Sequence, residues 1–250
     1  MSPTQKRTAS TGSVAESEIK RLRTNGTSTS TTASPPEEAD KHSIYTHWSL
    51  NQGIIVSNVG PRILPGRGVG LLATGPIKAN SQLIFVNETS MIKTNINFLK
   101  RQKLQKASPQ AQLAAHLTLA SRVAPCPDWY QNSRAVWPTP EDFKACMLAW
   151  SDPEEMDVLT KCAPPSILSP LERLLLDLRK DVKAVEHLHT PDDAAWVDEY
   201  TYHWLLVNTR SFHWKPEGVK EGSMVMCPFL DYMNHCPNGH GVGNILVTAC

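Results

Sequence analysis

The chain has 250 residues, a formal net charge of +1, and 40% hydrophobic and 20% charged residues. This size and composition suit one or two globular domains with a sizeable core. The near-neutral charge lacks the basic excess that nucleic-acid-binding proteins usually carry, and no apolar run is long enough to span a bilayer. We therefore expect neither a nucleic-acid partner nor a membrane partner.

Residues 1–40 are rich in serine and threonine and contain few large apolar side chains. Such a segment buries too little apolar surface to offset the entropy lost on ordering, so we predict a disordered tail. Basic clusters at Lys6-Arg7 and at residues 20–23 are typical either of a nuclear-import signal or of a solvated tail. The N-terminus is polar, unlike a secretory signal peptide, which predicts a cytoplasmic or nuclear protein, or both, with reduced cysteines.

Residues 44–95 carry the signals of small antiparallel β-structure. Two short apolar runs, at residues 53–56 and 83–86, are typical of strands bounded by turns. Between them lies a glycine-rich run, LPGRGVGLLAT, at residues 64–74, followed by a Gly75-Pro76 break. We therefore predict that this part of the chain forms short paired strands.

From residue 96 to residue 207 the apolar pattern takes a helical period. Ser-Pro or Thr-Pro pairs at residues 108, 139, 169 and 190 fit the N-cap and first position of four helices, and Ser169 with Glu172 forms a capping-box pattern. Two of these helices place apolar side chains on one stripe: Leu171, Leu174, Leu175, Leu178, Val182 and Val185 in the first, and Val197, Tyr200, Trp204 and Val207 in the second. We interpret both stripes as core packing.

Gly66, Gly68 and Gly70 alternate along the chain and permit close approach of the backbone to a ligand. A dinucleotide-binding loop would need a helix directly after its glycines. The glycines here lead into the apolar Leu71 and Leu72, which predicts a strand and excludes that loop. Two interpretations stay open, a ligand-binding backbone and a tight β-turn.

Residues 225–235, VMCPFLDYMNH, begin as a short buried strand and end in the polar side chains Asp231, Asn234 and His235. Polar groups among apolar neighbours need hydrogen-bond partners, which either a local turn or a ligand supplies. Arg210 lies among Val207, Phe212 and Trp214 in the sequence and needs an anionic partner. A carboxylate suits its planar guanidinium, and both Asp231 and a ligand carboxylate are candidates.

Together, these three segments resemble the SET-domain protein methyltransferases, in the branch with a helical insertion typified by the Rubisco large-subunit lysine methyltransferase. GRGVGLLA at residues 66–73 is similar to the first SET motif, TRSF at residues 209–212 resembles the family's Ser-Arg-Ala-Phe segment, and PFLDYMNH at residues 228–235 is similar to its Asn-His motif. The resemblance covers about residues 48–250. It implies an α+β fold of small antiparallel sheets, at residues 44–95 and 208–250, interrupted by a mostly helical insertion at residues 96–207.

The resemblance also implies S-adenosyl-L-methionine as methyl donor and a protein lysine as acceptor, in a monomeric enzyme. The backbone of Arg67, Gly68 and Val69 would meet the amino-acid end of the donor, with Arg210 near its carboxylate. The Asn234 amide would bond the methionine moiety. The substrate stays open among ribosomal proteins, histones and translation factors, and histidine is a second possible acceptor.

In the same comparison, the His235 backbone would meet the adenine, and Asp231 would lie toward the acceptor peptide. Family members continue with a strand and a tyrosine-bearing segment that complete the active site, whereas no tyrosine follows Asn234 in this sequence. The resemblance therefore implies that the tyrosine lies beyond Cys250, the last residue of the sequence. We expect a C-terminally truncated piece without methyl transfer of its own, and we assign no catalytic residue.

Two alternatives stand beside this interpretation. The first keeps the SET-type fold without catalysis, as a module that binds protein partners. The second is a zinc site formed by Cys227, His235, Cys236 and His240, although that spacing matches no common structural zinc pattern. We expect no bound metal.

Overall fold

The structure is a computed structural model that describes residues 36–66, 68–149, 153–219 and 222–234. These residues form seven α-helices and six short strands, all paired antiparallel. The predicted combination of helices with small antiparallel sheets is therefore confirmed for the described residues. None of the helices in these ranges is both long and apolar enough to cross a lipid bilayer.

Helix α1 (Pro36–Asn51) is the first described element. It begins inside the predicted disordered tail, so that prediction is wrong for residues 36–40, while residues 1–35 lie outside the described residues. Proline suits the first turn of a helix, and further along α1 the side chains of Tyr45 and Ser49, one turn apart, are fully buried. This buried face packs α1 against the rest of the described chain.

Four strands follow α1: β1 (Ile55–Val56), β2 (Val59–Leu64), β3 (Gly68–Ala73) and β4 (Ile84–Phe85). Strand β1 pairs with β4, and β2 pairs with β3 so that Gly70 lies opposite Arg62. The strands predicted at residues 53–56 and 83–86 are confirmed, although each is only two residues long. The prediction that a strand follows the glycines is also confirmed, by β3.

The helical block contains the six remaining helices: α2 (Ile96–Arg101), α3 (Pro109–Ser121), α4 (Asp128–Arg134), α5 (Pro153–Cys162), α6 (Pro165–Val185) and α7 (Ala194–Arg210). The block begins at Ile96, as predicted, but α7 continues to Arg210, three residues beyond the predicted end at residue 207. The predicted N-cap of α3 is confirmed, because the Ser108 hydroxyl accepts a hydrogen bond from the Ala111 N–H at 3.0 Å.

The other three predicted helix starts are wrong in position. Thr139-Pro140 precedes only a 3-10 turn, Glu141–Ala145, in which the Asp142 carboxylate accepts a bond from the Thr139 N–H at 2.6 Å. Helix α7 begins at Ala194, after a turn in which the Asp193 N–H donates to the Thr190 carbonyl at 3.0 Å.

Ser169-Pro170 lies inside α6, which begins at Pro165 with Pro164 as its N-cap. Because Ser169 and Glu172 both lie inside this helix rather than at its start, the predicted capping box is also wrong. Proline at the first helical position is favourable, and the pair at 164–165 offers this start one turn earlier. Pro170 then removes a single helical N–H from the second turn, which the longer helix tolerates.

The main apolar core lies among helices α3, α6 and α7. Tyr200, Trp204 and Val207 of the α7 stripe are fully buried in it, and the α6 stripe ends at the fully buried Val185. The predicted α7 stripe is therefore confirmed as core packing. In the α6 stripe, Leu174, Leu178 and Val182 pack half-buried against the same core, whereas Leu171 and Leu175 lie outside that core.

Strands β5 (Ser211–Trp214) and β6 (Ser223–Met226) follow α7 directly and pair with each other. The Ile92 N–H donates to the Met226 carbonyl at 2.9 Å, and the Met226 N–H donates to the Ile92 carbonyl at 3.0 Å. Strand β6 therefore lies between β5 and the chain before the helical block. This arrangement places the polar residues after β6 near the N-terminal strands.

Candidate functional site

The chain folds into a tight turn after β6, which we call the 227–234 turn. It contains a short 3-10 helix, Leu230–Tyr232, and the Asp231 N–H donates to the Cys227 carbonyl at 3.3 Å. Phe229 adopts φ +66° and ψ −38°, a backbone conformation that is strained for a bulky residue. Its side chain is fully buried, so the surrounding packing holds the strained residue in place.

Asn234, at the end of this turn, lies against the glycine-rich strand β3. A Cβ atom at Gly70 would lie 2.6 Å from Asn234 Nδ2 and 2.7 Å from Leu64 Cδ1, which is closer than real atoms approach. Glycine at position 70 therefore leaves the space that the asparagine amide occupies. The Asn234 residue is otherwise exposed, and its amide makes no hydrogen bond within the described ranges.

Gly68 lies two residues before this contact on the same face of β3. It has φ +68°, and no atom of the described residues lies within 4 Å of the position that a Cβ would take. Its backbone is thus open to an approaching group. Val69 points to the opposite face and packs against the cluster that contains Phe229 and Tyr232.

Three positions used in the methyltransferase predictions lie outside the described residues. Arg67 and His235, both predicted to meet the donor, are two of them. Cys250 is the third, and the tyrosine that would complete the active site was expected beyond it. The donor contacts of Arg67 and His235 therefore stay predictions. The expectation that the catalytic tyrosine lies beyond Cys250 also stays a prediction.

Arg210 pairs with Asp231, one of the two partners that the sequence left open. Its Nη1 donates to the Asp231 carbonyl oxygen at 3.2 Å and to Oδ2 at 3.4 Å. The Arg210 side chain is 26% exposed. A guanidinium carries five N–H donors. The N–H groups of Nε and Nη2 of Arg210 have no acceptor among the described residues, so Arg210 can bind a second anionic partner.

The Asp231 side chain is only 4% exposed, and its Oδ1 is buried without a hydrogen-bond partner among the described residues. Burial raises the pKa of this carboxyl to about 6, although the neighbouring Arg210 acts to lower it. At neutral pH the group is therefore mainly ionised with one oxygen unsatisfied. Its predicted role toward an acceptor peptide stays a prediction, since the carboxylate is buried beside Arg210.

Sequence reasoning missed two residues of α1 that support the 227–234 turn. His42 Nδ1 lies 2.8 Å from the Tyr232 hydroxyl, and the ring of Tyr45 packs edge-on against the ring of Tyr232 at 5.8 Å between centroids. The spacing of His42, Tyr45 and Ser49 at i, i+3 and i+7 is the signal of one helical face. His42 lies before residue 44, where the domain was predicted to begin, whereas Tyr45 and Ser49 lie after it, so the pattern was divided.

The zinc alternative receives little support from Cys227. Its side chain is buried, and burial raises the thiol pKa to about 12, whereas zinc binds thiolates. His235, Cys236 and His240 lie outside the described residues. Within the described ranges, no group of three or more His, Cys, Asp or Glu side chains could hold a metal ion.

A separate cavity of about 170 Å³ lies beside α1. Trp48, Lys93, His116 and Trp129 are among its lining residues, and none of the predicted site residues lines it. Pockets for drug-sized ligands usually measure about 300–1,000 Å³. This cavity is therefore smaller than a nucleoside-containing donor needs.

Comparison of the chain with protein-family models and with curated proteins finds no match. The resemblance to SET-domain proteins accordingly rests on the three motifs. Two contacts relate these motifs in space, Gly70 with Asn234 and Arg210 with Asp231.

Proposed function

We propose that the chain carries the donor-binding part of a SET-type protein-lysine methyltransferase. The observation that carries the proposal is the contact between Gly70 and Asn234, because it joins the first and last of the three motifs across the whole helical block. Because position 70 has no side chain, the Asn234 amide packs directly against the backbone of β3. This close packing holds the amide in a fixed position, which a binding site requires. The order of the motifs and the helical insertion support the same assignment.

The described residues fit S-adenosyl-L-methionine at its amino-acid end. Arg210 offers unused N–H donors to a carboxylate, and its partly exposed guanidinium can bind that group without losing Asp231. The Asn234 amide has one donor group and one acceptor oxygen without partners among the described residues. Gly68 leaves its backbone open on the same side of β3. A zwitterionic amino acid has the charges and hydrogen-bonding groups to match this set.

The bound donor supplies an electrophilic methyl group on its sulfonium. The chain's own residues orient the donor and hold it on rigid elements, because Arg210 ends α7 and Asn234 follows a packed turn. The acceptor lysine amine must be neutral and aligned with the methyl carbon, which requires positioning more than covalent catalysis. Asp231 holds Arg210 beneath this site.

Calorimetric titration of the chain with S-adenosyl-L-methionine tests the proposal. We expect one-to-one binding, and a loss of about tenfold or more in affinity for Arg210→Ala and for Asn234→Ala, since each removes a hydrogen bond worth about 1.5–3 kcal/mol. Arg122→Ala is the matched control, because Arg122 is an ion-paired arginine that contacts Asp193 and Glu199 on the helical block. Circular dichroism establishes the folded fraction of each variant.

Gly70→Ala provides a second, steric test. The added methyl group would displace the Asn234 amide, so we expect weaker donor binding, whereas Gly60→Ala in the paired strand meets only the Thr74 methyl group at 3.2 Å. Failure of the folded wild-type chain to bind the donor would contradict the proposal, as would equal affinities for wild type, Arg210→Ala and Asn234→Ala.

The second candidate function is a SET-like module that binds protein partners without catalysis. The unsatisfied oxygen of Asp231 and the open Gly68 backbone favour a small ligand, but neither requires turnover. Tritiated methyl transfer from S-adenosyl-L-methionine into fractionated cell extract, by the chain and by a version that carries a tyrosine-bearing SET segment after Cys250, separates the two candidates. Donor binding without transfer supports the module, and transfer into protein lysine supports the enzyme.

A further inference from the structure

The strained backbone at Phe229 needs support from residues outside the turn itself. A positive φ at a residue of this size is strained and persists only where the surroundings over-determine it. Phe229 packs edge-on against Tyr232, with 5.7 Å between ring centroids and an interplanar angle of 89°. Both rings are buried, so the position of the Tyr232 ring helps to fix the conformation of the turn.

Helix α1 fixes Tyr232 by two different contacts. The Tyr45 ring meets the Tyr232 ring at 5.8 Å and 83°, and His42 lies one turn earlier with its Nδ1 2.8 Å from the Tyr232 hydroxyl. Burial keeps the pKa of the Tyr232 hydroxyl well above its usual value, so the group stays protonated and can donate to His42. The aromatic contact therefore restrains the orientation of the Tyr232 ring, and the hydrogen bond restrains the position of its hydroxyl group.

Helix α1 is itself anchored to the helical block by Trp48. The Trp48 Nε1–H donates to Asp128 Oδ2 at 2.7 Å, at the start of α4. Trp48 also stacks on Tyr45 at 5.5 Å between centroids. Because the Trp48–Asp128 bond joins α1 to α4, α1 has support outside the 227–234 turn and can hold the turn in place.

The turn transmits this restraint to the candidate site. Tyr232 directly follows Asp231, and the Tyr232 N–H donates to the Phe229 carbonyl at 3.3 Å. Asp231 presents both its backbone oxygen and its carboxylate to Arg210. A shift of the Tyr232 ring would therefore move both groups that hold the guanidinium, and Asn234 with them.

We propose that His42 and Tyr45 are positioning residues, and that α1 acts as a clamp that holds the 227–234 turn and, through it, Arg210 and Asn234. The clamp is inferred from geometry alone, but its consequence for donor affinity rests on the proposed function. It assigns a role in the site to a helix that lies before the SET-like motifs. The candidate site then includes more than the end of β6, because α1, the 227–234 turn and α7 all contribute residues to it.

Hydrogen exchange of the full chain tests the clamp without any ligand. In wild type we expect the N–H groups of Asp231, Tyr232 and Met233 to be protected by their bonds within the turn. His42→Ala and Tyr232→Phe should each accelerate exchange at these three amides at least tenfold, with α6 amides unchanged. His42→Asn should restore most of the protection, because its side chain places a hydrogen-bonding atom near the position of Nδ1.

Ile44→Ala is the matched control, since Ile44 lies on the same helix but is 54% exposed. Unchanged exchange in His42→Ala and Tyr232→Phe would overturn the clamp, and so would equal acceleration throughout the chain in both variants. Titration with S-adenosyl-L-methionine then checks the consequence, with an expected loss of about fivefold to tenfold in affinity for His42→Ala and recovery in His42→Asn.

Local acceleration of exchange with unchanged donor affinity would overturn the positioning role. A wild-type chain that binds no donor would contradict the proposed function, and the exchange results alone would then decide whether the clamp exists.

Discussion

Two buried carboxylates, one in the helical block and one in the 227–234 turn, are held in opposite ways. Asp181 Oδ2 accepts bonds from the Ser108 hydroxyl at 2.8 Å and from Trp204 Nε1 at 2.9 Å, both neutral donors. Asp231 has a charged partner at the longer distance of 3.4 Å, and its Oδ1 has no partner among the described residues. The first carboxylate is well bonded and joins three helices, whereas the second is incompletely bonded.

The difference shows where this fold gains stability and where it retains binding capacity. Short bonds to neutral donors tie α3, α6 and α7 together around Asp181 and leave little for a ligand to use. The longer contact at Asp231 leaves donors of Arg210 unused in a partly exposed position. Substitutions at the two carboxylates should therefore affect different measurements.

The largest expected effect on stability is that of Asp181→Ala. This change leaves the Trp204 N–H and the Ser108 hydroxyl without their acceptor, and each orphaned group costs about 1–3 kcal/mol, so the free energy of unfolding should fall by about 4 kcal/mol. Urea unfolding measures the loss, and donor affinity of the folded fraction should not change. Asp177→Ala is the control, because Asp177 lies on the same helix and its contact with Lys180 is exposed. A loss below about 1 kcal/mol would mean that Asp181 does not tie the helices together.

A slightly smaller effect should follow from pH in the helical block. His203 is fully buried between the Tyr130 hydroxyl at 2.9 Å and the Thr118 hydroxyl at 3.0 Å, and burial lowers its pKa to about 4. Its folded-state pKa lies below its unfolded value near 6.5, so the unfolded chain binds the proton more tightly. Stability should therefore be full above about pH 6.5 and fall by about 3 kcal/mol toward pH 4. Burial also lowers the pKa of His116 to about 4, so both chains should lose stability from that residue. Urea unfolding from about pH 4 to about pH 7.5 should show the loss from His203 as the difference between wild type and His203→Gln.

Asp231 should show the opposite pH dependence over nearly the same range. Its folded-state pKa of about 6 lies above that of an unfolded aspartate, so the folded chain binds the proton more tightly. Relative to Asp231→Asn, wild type should lose about 2–3 kcal/mol as pH rises from about 4 to about 6. The difference between the two unfolding curves isolates this residue from His203. A difference that is constant with pH would show that Asp231 is already ionised below about pH 4 in the folded chain.

The smallest expected effect is that of Arg122→Ala. Arg122 Nε donates to Glu199 at 2.7 Å, and Nη1 contacts Asp193, but all three side chains are about 30% exposed. Ion pairs at such sites contribute about 0–1 kcal/mol, so the free energy of unfolding should change by less than about 1 kcal/mol. Thermal unfolding in low and high salt provides the measurement. A larger, salt-independent loss would place Arg122 with Asp181 among the groups that stabilise the helical block.

Local patterns in the sequence were sufficient to predict much of the fold. The stripe at Tyr200, Trp204 and Val207 and the N-cap at Ser108 are confirmed, because periodicity and capping depend on residues a few positions apart. The start of α6 was wrong because Pro165 and Pro170 both suit a first helical position, and local preference does not rank them. The longer helix, which begins at Pro165, is the one that forms.

Long-range contacts explain what the sequence did not reveal about the site. Arg210 was expected to need an anion, and Asp231 was one of two candidates. The burial of Asp231 and its unsatisfied oxygen are properties of the folded chain that local sequence patterns do not reveal. The support from His42 was missed because this residue lies between the predicted tail, which ended at residue 40, and the predicted domain, which began at residue 44. The contact of Gly70 with Asn234 required the fold, although both residues were chosen from the sequence.

The bridge between Ile92 and Met226 has a consequence for the order in which the chain folds. It joins segments on either side of the helical block. Among the residues that the structure describes, the sheets on both sides have two strands each, and two-stranded sheets are marginal in isolation. Closing so long a loop becomes favourable only once the intervening helices are compact. The helical block should therefore form early, and substitutions at the bridge should mainly speed unfolding. During synthesis and refolding, the residues proposed to bind the donor would be among the last to come together.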